Sequence, residues 1–154
     1  MRKFFTALVL LLICFDSANS SAETNNDKGK INELEQKFIS CGTELEKKEQ
    51  SCEEYFSTKC HYIFIDLNKK VQQCYKQILQ EIFVSYYDLD AKSAEEKINT
   101  FTSFIYDEYF FMYTESKYCK ENCGIAPYLY SEYATTYSLQ TYIDKTIDEL
   151  KSRS

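Results

Sequence analysis

From Ile31 onward the apolar residues fall on helical steps. Ile31, Leu34, Phe38, Cys41, Leu45 and Cys52 share one face of an α-helix, with Lys48 as the only gap in the stripe. A second stripe runs through Cys60, Ile63, Leu67, Val71, Cys74, Ile78 and Ile82, again in steps of three and four, and Tyr55 to Lys59 read as the turn between the two. Asp88-Leu89-Asp90-Ala91-Lys92 interrupts the period. Ser93 followed by Glu96 then reads as a capping box, in which each side chain satisfies a free backbone N–H of the other and a third helix begins. Its stripe is Ile98, Phe101, Ile105, Tyr109, Met112 and Cys119, and Gly124 is placed to end it. Pro127 suits the first turn of a fourth helix, whose looser apolar face is Leu129, Tyr133, Tyr137, Ile143, Ile147 and Leu150.

Four helices of about 25 residues are each about 40 Å long, and short connections set successive helices antiparallel. The expected fold is therefore all-α: an antiparallel four-helix bundle made of two helical hairpins. A pair of loosely coupled hairpins is the rival, and the wealth of Tyr, Phe, Ile and Thr is the argument for strands. The sustained helical period outweighs it.

The chain before Ile31 has a different character. Arg2 and Lys3 precede the apolar run Phe4 to Phe15, and Ala18-Asn19-Ser20 or Ser20-Ser21-Ala22 supplies small residues for cleavage, so residues 1–22 read as a removable signal segment. The run is too short to span a bilayer. Residues 23–30 are polar and aperiodic, the expected disordered lead-in to one helical domain over 31–154. Cleavage after Ser20 leaves 134 residues with 16 basic and 23 acidic side chains, a net charge of −7. Binding to nucleic acid or to anionic membrane rests on clustered Lys and Arg, so neither is an expected partner. The composition agrees with long helices: Gly29, Gly42, Gly124 and Pro127 are the only such residues left to punctuate the chain.

Cys14 leaves with the signal, and six cysteines remain in a chain bound for an oxidising compartment, which points to three disulfides. Residues level with each other in an antiparallel hairpin have a constant sum of positions. The sums for Cys41 with Cys74 and for Cys52 with Cys60, 115 and 112, nearly agree, and Cys41–Cys74 is the expected clamp between the first two helices. Cys52, Cys60, Cys119 and Cys123 gather at one end of the bundle. They can pair locally, Cys52 with Cys60 and Cys119 with Cys123, or across the two hairpins. One helical turn holds Cys119 and Cys123 near the upper limit of disulfide geometry, about 6.8 Å between Cα atoms, which leans the reading to cross pairing. The same four cysteines beside His61 could be written as a zinc site, but no C-x-x-C knuckle is present, and no metal is expected.

Other catalytic chemistry is missing from the sequence. There is no G-x-S-x-G, no H-E-x-x-H, no glycine-rich phosphate loop and no calcium loop. The acid pairs Glu53-Glu54, Glu95-Glu96 and Asp107-Glu108 are adjacent, so on a helix they point about 100° apart and suit solvated faces better than shared acid–base work. His61 has no companion histidine. The expectation is a protein that is not an enzyme and needs no cofactor. Asn19-Ser20-Ser21, the one glycosylation sequon, straddles the cleavage site.

Fourteen tyrosines exceed what four stripes can bury. Codon drift in an AT-rich genome would account for the number, with rings filling a small core and hydroxyls at its edge. The functional account is a recognition face of Tyr128, Tyr130, Tyr133 and Tyr137 for an unidentified protein partner, since tyrosine is enriched at binding hot spots. An alternative function is the carriage of a small apolar ligand in a cavity lined by Phe101, Phe104, Ile105, Tyr109 and Met112.

The segment Cys52-Glu53-Glu54-Tyr55-Phe56-Ser57-Thr58-Lys59-Cys60 sets a tyrosine between two cysteines downstream of a secretory signal. It resembles the bicycle proteins of gall-forming aphids, small secreted proteins with two such Cys-Tyr-Cys motifs that are thought to be injected into plants as effectors. In Tyr118-Cys119-Lys120-Glu121-Asn122-Cys123 the tyrosine precedes the pair, whereas Cys60, Tyr62 and Cys74 match the order. The resemblance implies secretion, delivery into host tissue and a partner there, with no catalytic residues to carry over.

Overall fold

The computed structural model describes residues 25–49, 58–116 and 124–153. They form four helices: α1 (Asn25–Glu49), α2 (Thr58–Tyr86), α3 (Ala91–Thr114) and α4 (Ala126–Arg153). There is no strand among the described residues. The all-α expectation is met, with α1 starting at Asn25, inside the segment expected to be a disordered lead-in. Residues 28–30 continue that helix and are exposed, so the polar start carries no apolar period because it packs on nothing.

Sequence neighbours run antiparallel. Lys37 meets Glu81 and Cys41 meets Cys74 between α1 and α2. Lys76 meets Asn99 between α2 and α3, and Phe101 and Phe110 meet Tyr142 and Tyr128 between α3 and α4. α2 and α4 run parallel and in contact, Gln72 against Glu132 and Phe83 against Tyr142. Each of these two central helices touches all three others, whereas the described parts of α1 and α3 do not touch. The bundle is therefore rhombic, with α1 and α3 at opposite corners.

That arrangement explains why α2 buries more than one stripe. Leu67, Val71, Ile78 and Ile82 are buried as expected, but so are Phe64, Asn68, Gln72, Tyr75, Leu79 and Phe83. Ile63, expected inside, is 41% exposed, and Phe64 takes the buried position instead. α1 contributes Ile31, Leu34 and Cys41 to the core and is held by Lys37 on Glu81 and by Glu35 on Lys151 of α4.

The α2–α3 connection departs from the capping-box reading. Asp90 is the N-cap of α3: its carboxylate accepts the backbone N–H groups of Lys92 and Ser93 at 3.0 Å each. Ser93 donates its hydroxyl to the same carboxylate at 2.6 Å, while Glu96 pairs with Lys92. One oxygen of this aspartate, three residues upstream, accepts both free N–H groups while the other takes the Ser93 hydroxyl, so Ser93 is displaced into the first turn. Before it, Asp88 takes φ +53°, a left-handed conformation that Asp tolerates, so the chain reverses and Leu89 returns against the core. α3 ends at Thr114 rather than continuing to Gly124. Gly124, at φ +50°, leads instead into α4, with Pro127 buried in its first turn.

Candidate interaction surface

The N-terminal half of α4 inverts the expected stripe. Tyr133 and Tyr137 are 53% and 59% exposed, and the buried face is Ser131, Ala134, Thr135 and Leu139. The hydroxyls of Ser131 and Thr135 donate to the carbonyls of Pro127 and Ser131, one turn back, at 2.8 Å each. With its polarity spent on its own backbone, a Ser or Thr presents mainly a methylene or methyl to its neighbours, and its small size lets helices approach closely. The tyrosine rings, too large for that seam, stand outside.

All four candidate recognition residues are on the surface: Tyr128 and Tyr130 are also about half exposed. They do not share one face. At 100° per residue Tyr130, Tyr133 and Tyr137 fall within about 60° of arc over about 10 Å of helix, whereas Tyr128 lies about 140–200° away. Tyr128 turns its ring edge-on to Phe110 of α3 at 5.1 Å, and Phe110 stacks on Tyr106. Tyr130 stacks on Tyr113, centroids 4.7 Å apart. That contact leaves Tyr130 braced at its base and half open to solvent. Burial raises the Tyr113 hydroxyl above its ordinary pKa, and Tyr130 adds to the effect.

Beneath the tyrosines lies a polar seam that the sequence reading did not single out. Glu132 and Gln72 are buried, and the Gln72 amide donates to the Glu132 carboxylate at 2.8 Å, while Lys69 approaches the other carboxylate oxygen at 3.7 Å from the surface. Lys76 donates to Asn99 at 3.2 Å, and burial lowers its pKa against the opposing pull of Glu132. Burial, with Glu132 behind it, raises the Tyr106 hydroxyl. Gln72 with Glu132 and Lys76 with Asn99 thus link α2 to α4 and to α3.

Of the residues expected to line a ligand cavity, Ile105 is buried and Phe101 and Tyr109 are partly buried. Phe104 and Met112 are each 48% exposed. Phe101 borders a cleft with Leu79, Phe83, Lys97, Ile98 and Tyr142 that has about 20 Å³ of free space, room for about one water.

The cysteines divide. Cys41 and Cys74 form the expected disulfide, with Cα atoms 6.0 Å apart. Cys60 is also disulfide-bonded. Cys52, Cys119 and Cys123 lie outside the described residues, as does the rest of the Cys52–Cys60 motif before Thr58. His61 is half-buried. Glu95, Glu96, Asp107 and Glu108 are solvent-exposed, as solvated faces require. Among the described residues no three His, Cys, Asp or Glu side chains are grouped to hold a metal ion, and no helix is long and apolar enough to cross a membrane. No family model, curated protein or solved structure matches the chain.

Proposed function

We propose that the protein is a secreted, non-enzymatic interaction protein of effector or secretory-fluid type, which engages a protein partner in a host or recipient tissue through Tyr130, Tyr133 and Tyr137. One observation carries this reading: three tyrosines on one face of α4 are 51–59% exposed while smaller residues fill the core behind them. A tyrosine ring offers a large amphipathic contact area at low conformational-entropy cost, which is why it recurs at binding hot spots. The signal segment 1–22 and three disulfides belong to the same proposal, with Cys52, Cys60, Cys119 and Cys123 fastening the end of the bundle nearest these rings. The alternative, a carrier of a small apolar ligand, would require the cleft at Phe101 to widen from about 20 Å³ to the roughly 300 Å³ of a ligand site.

Affinity purification from the recipient tissue tests the proposal. The protein with Tyr130, Tyr133 and Tyr137 all changed to Ser should lose the partner, and Tyr128→Ser, on the other side of the helix, should keep it. A partner retained equally by the triple variant would remove this face from the claim.

A further inference from the structure

α3 carries a second unpartnered face, distinct from the tyrosines of α4 and independent of their role. Phe104 and Phe111 are 48% and 64% exposed. Seven residues apart, they lie about 20° from each other around the helix and about 10 Å along it. Asp107 and Glu108 sit between them, within about 60° of the same direction, and Glu115 follows one turn beyond Phe111. All three carboxylates are exposed, and none makes a salt bridge among the described residues, unlike Glu33, Glu81, Glu96 and Glu149, each of which has a lysine or arginine partner. From Thr100 to Ser116 there is no basic side chain; Lys97 marks the N-terminal edge of the face.

The helix itself makes this arrangement unfavourable. The C-terminal end of an α-helix carries a partial negative charge, which cations stabilise and carboxylates oppose. α3 has no basic residue in its last turn and ends on Glu115 at the C-cap. Two solvent-exposed phenyl rings, the Asp107 and Glu108 carboxylates between them and Glu115 at the negative helix end have, among the described residues, no cation that also covers apolar surface. A second copy of this chain cannot supply it through the same face, since two such faces would bring six carboxylates together in a protein already at net charge −6, and an anionic membrane is repelled for the same reason.

We infer that the Phe104–Asp107–Glu108–Phe111–Glu115 face of α3 docks an arginine-bearing segment of a partner protein. Arginine fits both halves of the surface: its planar guanidinium stacks on an aromatic ring and presents a fork of donors to a carboxylate. A guanidinium between the two rings reaches Asp107 and Glu108, and a second, one or two turns on, meets Glu115 and the end of α3.

The test is calorimetric titration of the full-length, disulfide-bonded protein with a synthetic helical peptide carrying arginines at positions i, i+4 and i+7. Binding should weaken as salt rises. Replacing the peptide arginines by glutamate should abolish it. Phe104→Ser with Phe111→Ser, and separately Asp107→Asn with Glu108→Gln, should each weaken binding by about tenfold or more, while Asp144→Asn on α4 should change it less than about twofold. These side chains are exposed, so the variants keep the fold, which circular dichroism verifies. Absence of binding by the arginine peptide, wild-type affinity in the double Phe variant, or self-association of the unmodified protein through this face in sedimentation would each overturn the proposal.

Discussion

Gln72 of α2 donates its side-chain amide to the carboxylate of Glu132 on α4 at 2.8 Å, with both residues buried between two parallel helices. Its amide also lies 3.2 Å from the Thr136 hydroxyl, itself bonded to the Glu132 carbonyl, so one side chain ties together a full turn of α4. A buried carboxylate is tolerated only while its lone pairs are satisfied. Gln72→Leu removes the donor and leaves the carboxylate with Lys69 at 3.7 Å and no amide hydrogen bond from α2. The expected loss is about 2–3 kcal/mol in urea unfolding. Gln72→Leu combined with Glu132→Leu should recover part of that loss, because an apolar pair needs no partners. A double variant as unstable as the sum of the single ones would show that the two side chains are not coupled.

The Cys41–Cys74 bond closes a separation of 33 residues between the peripheral helix α1 and the central helix α2. Constraining the unfolded chain over that distance is worth roughly 3–4 kcal/mol in the chain-entropy model. Cys41→Ser with Cys74→Ser should lower stability by that amount. Because the described part of α1 touches α2 and α4 but not α3, its amides should lose protection from hydrogen exchange before those of α3 and α4. Uniform loss across all four helices would argue that α1 is not a separable unit.

The helices and this disulfide were legible because they rest on residues whose burial follows from hydrophobicity alone. Leu67, Val71, Ile78 and Ile82 are apolar, helically spaced and buried, and Cys41 and Cys74 could be matched in height because both lay on such stripes. The candidate site was harder to read where size overrode hydropathy. Tyr133 and Tyr137 fit an apolar period as well as Ile143 does, yet the buried face of α4 takes the smaller Ser131 and Thr135 and leaves the rings outside. No hydropathy pattern marks a Thr that has turned its hydroxyl to its own backbone; the signal was the recurrence of small residues at Ser131, Ala134, Thr135 and Ser138. Phe104 and Phe111 show the converse. Phe104 was assigned to an interior, whereas α3, a corner helix of a rhombic bundle, has neighbours on one side only.

The start of α3 gives a local test of the cap. Asp90 accepts three hydrogen bonds, from two backbone N–H groups and the Ser93 hydroxyl, and these hold its carboxyl below its ordinary pKa. Asp90→Ala should lower Tm by about 3 °C and Ser93→Ala by less, since Ser93 only supports the cap. A depressed carboxylate contributes stability above its unfolded pKa and loses it as pH falls through the folded value. The difference in Tm between wild type and Asp90→Ala should therefore be full at neutral pH and shrink below about pH 4. A larger effect from Ser93→Ala would restore the capping box with Glu96.

Tyr142 supplies the corresponding test at high pH. Its ring packs between Phe83 and Phe101 at 6.2 and 5.9 Å, and burial, aided by Tyr87 and Glu149, pushes its hydroxyl up from 10.0 to about 12. The native state thus holds this proton more tightly than the unfolded chain does. Its contribution is complete below the unfolded value of about 10 and is lost as pH rises toward about 12, where the unfolded chain is already ionised and the packed ring is not. Alkaline unfolding should follow, with wild type losing stability between about pH 10 and pH 12. Tyr142→Phe keeps the ring contacts and has no proton to lose, so it should be the more resistant of the two in that window while matching wild type at pH 7. The same change should remove one late step from the ultraviolet titration of tyrosinate. If Tyr142→Phe unfolds at the same alkaline pH as wild type, the phenol between Phe83 and Phe101 is not the group that limits the fold there.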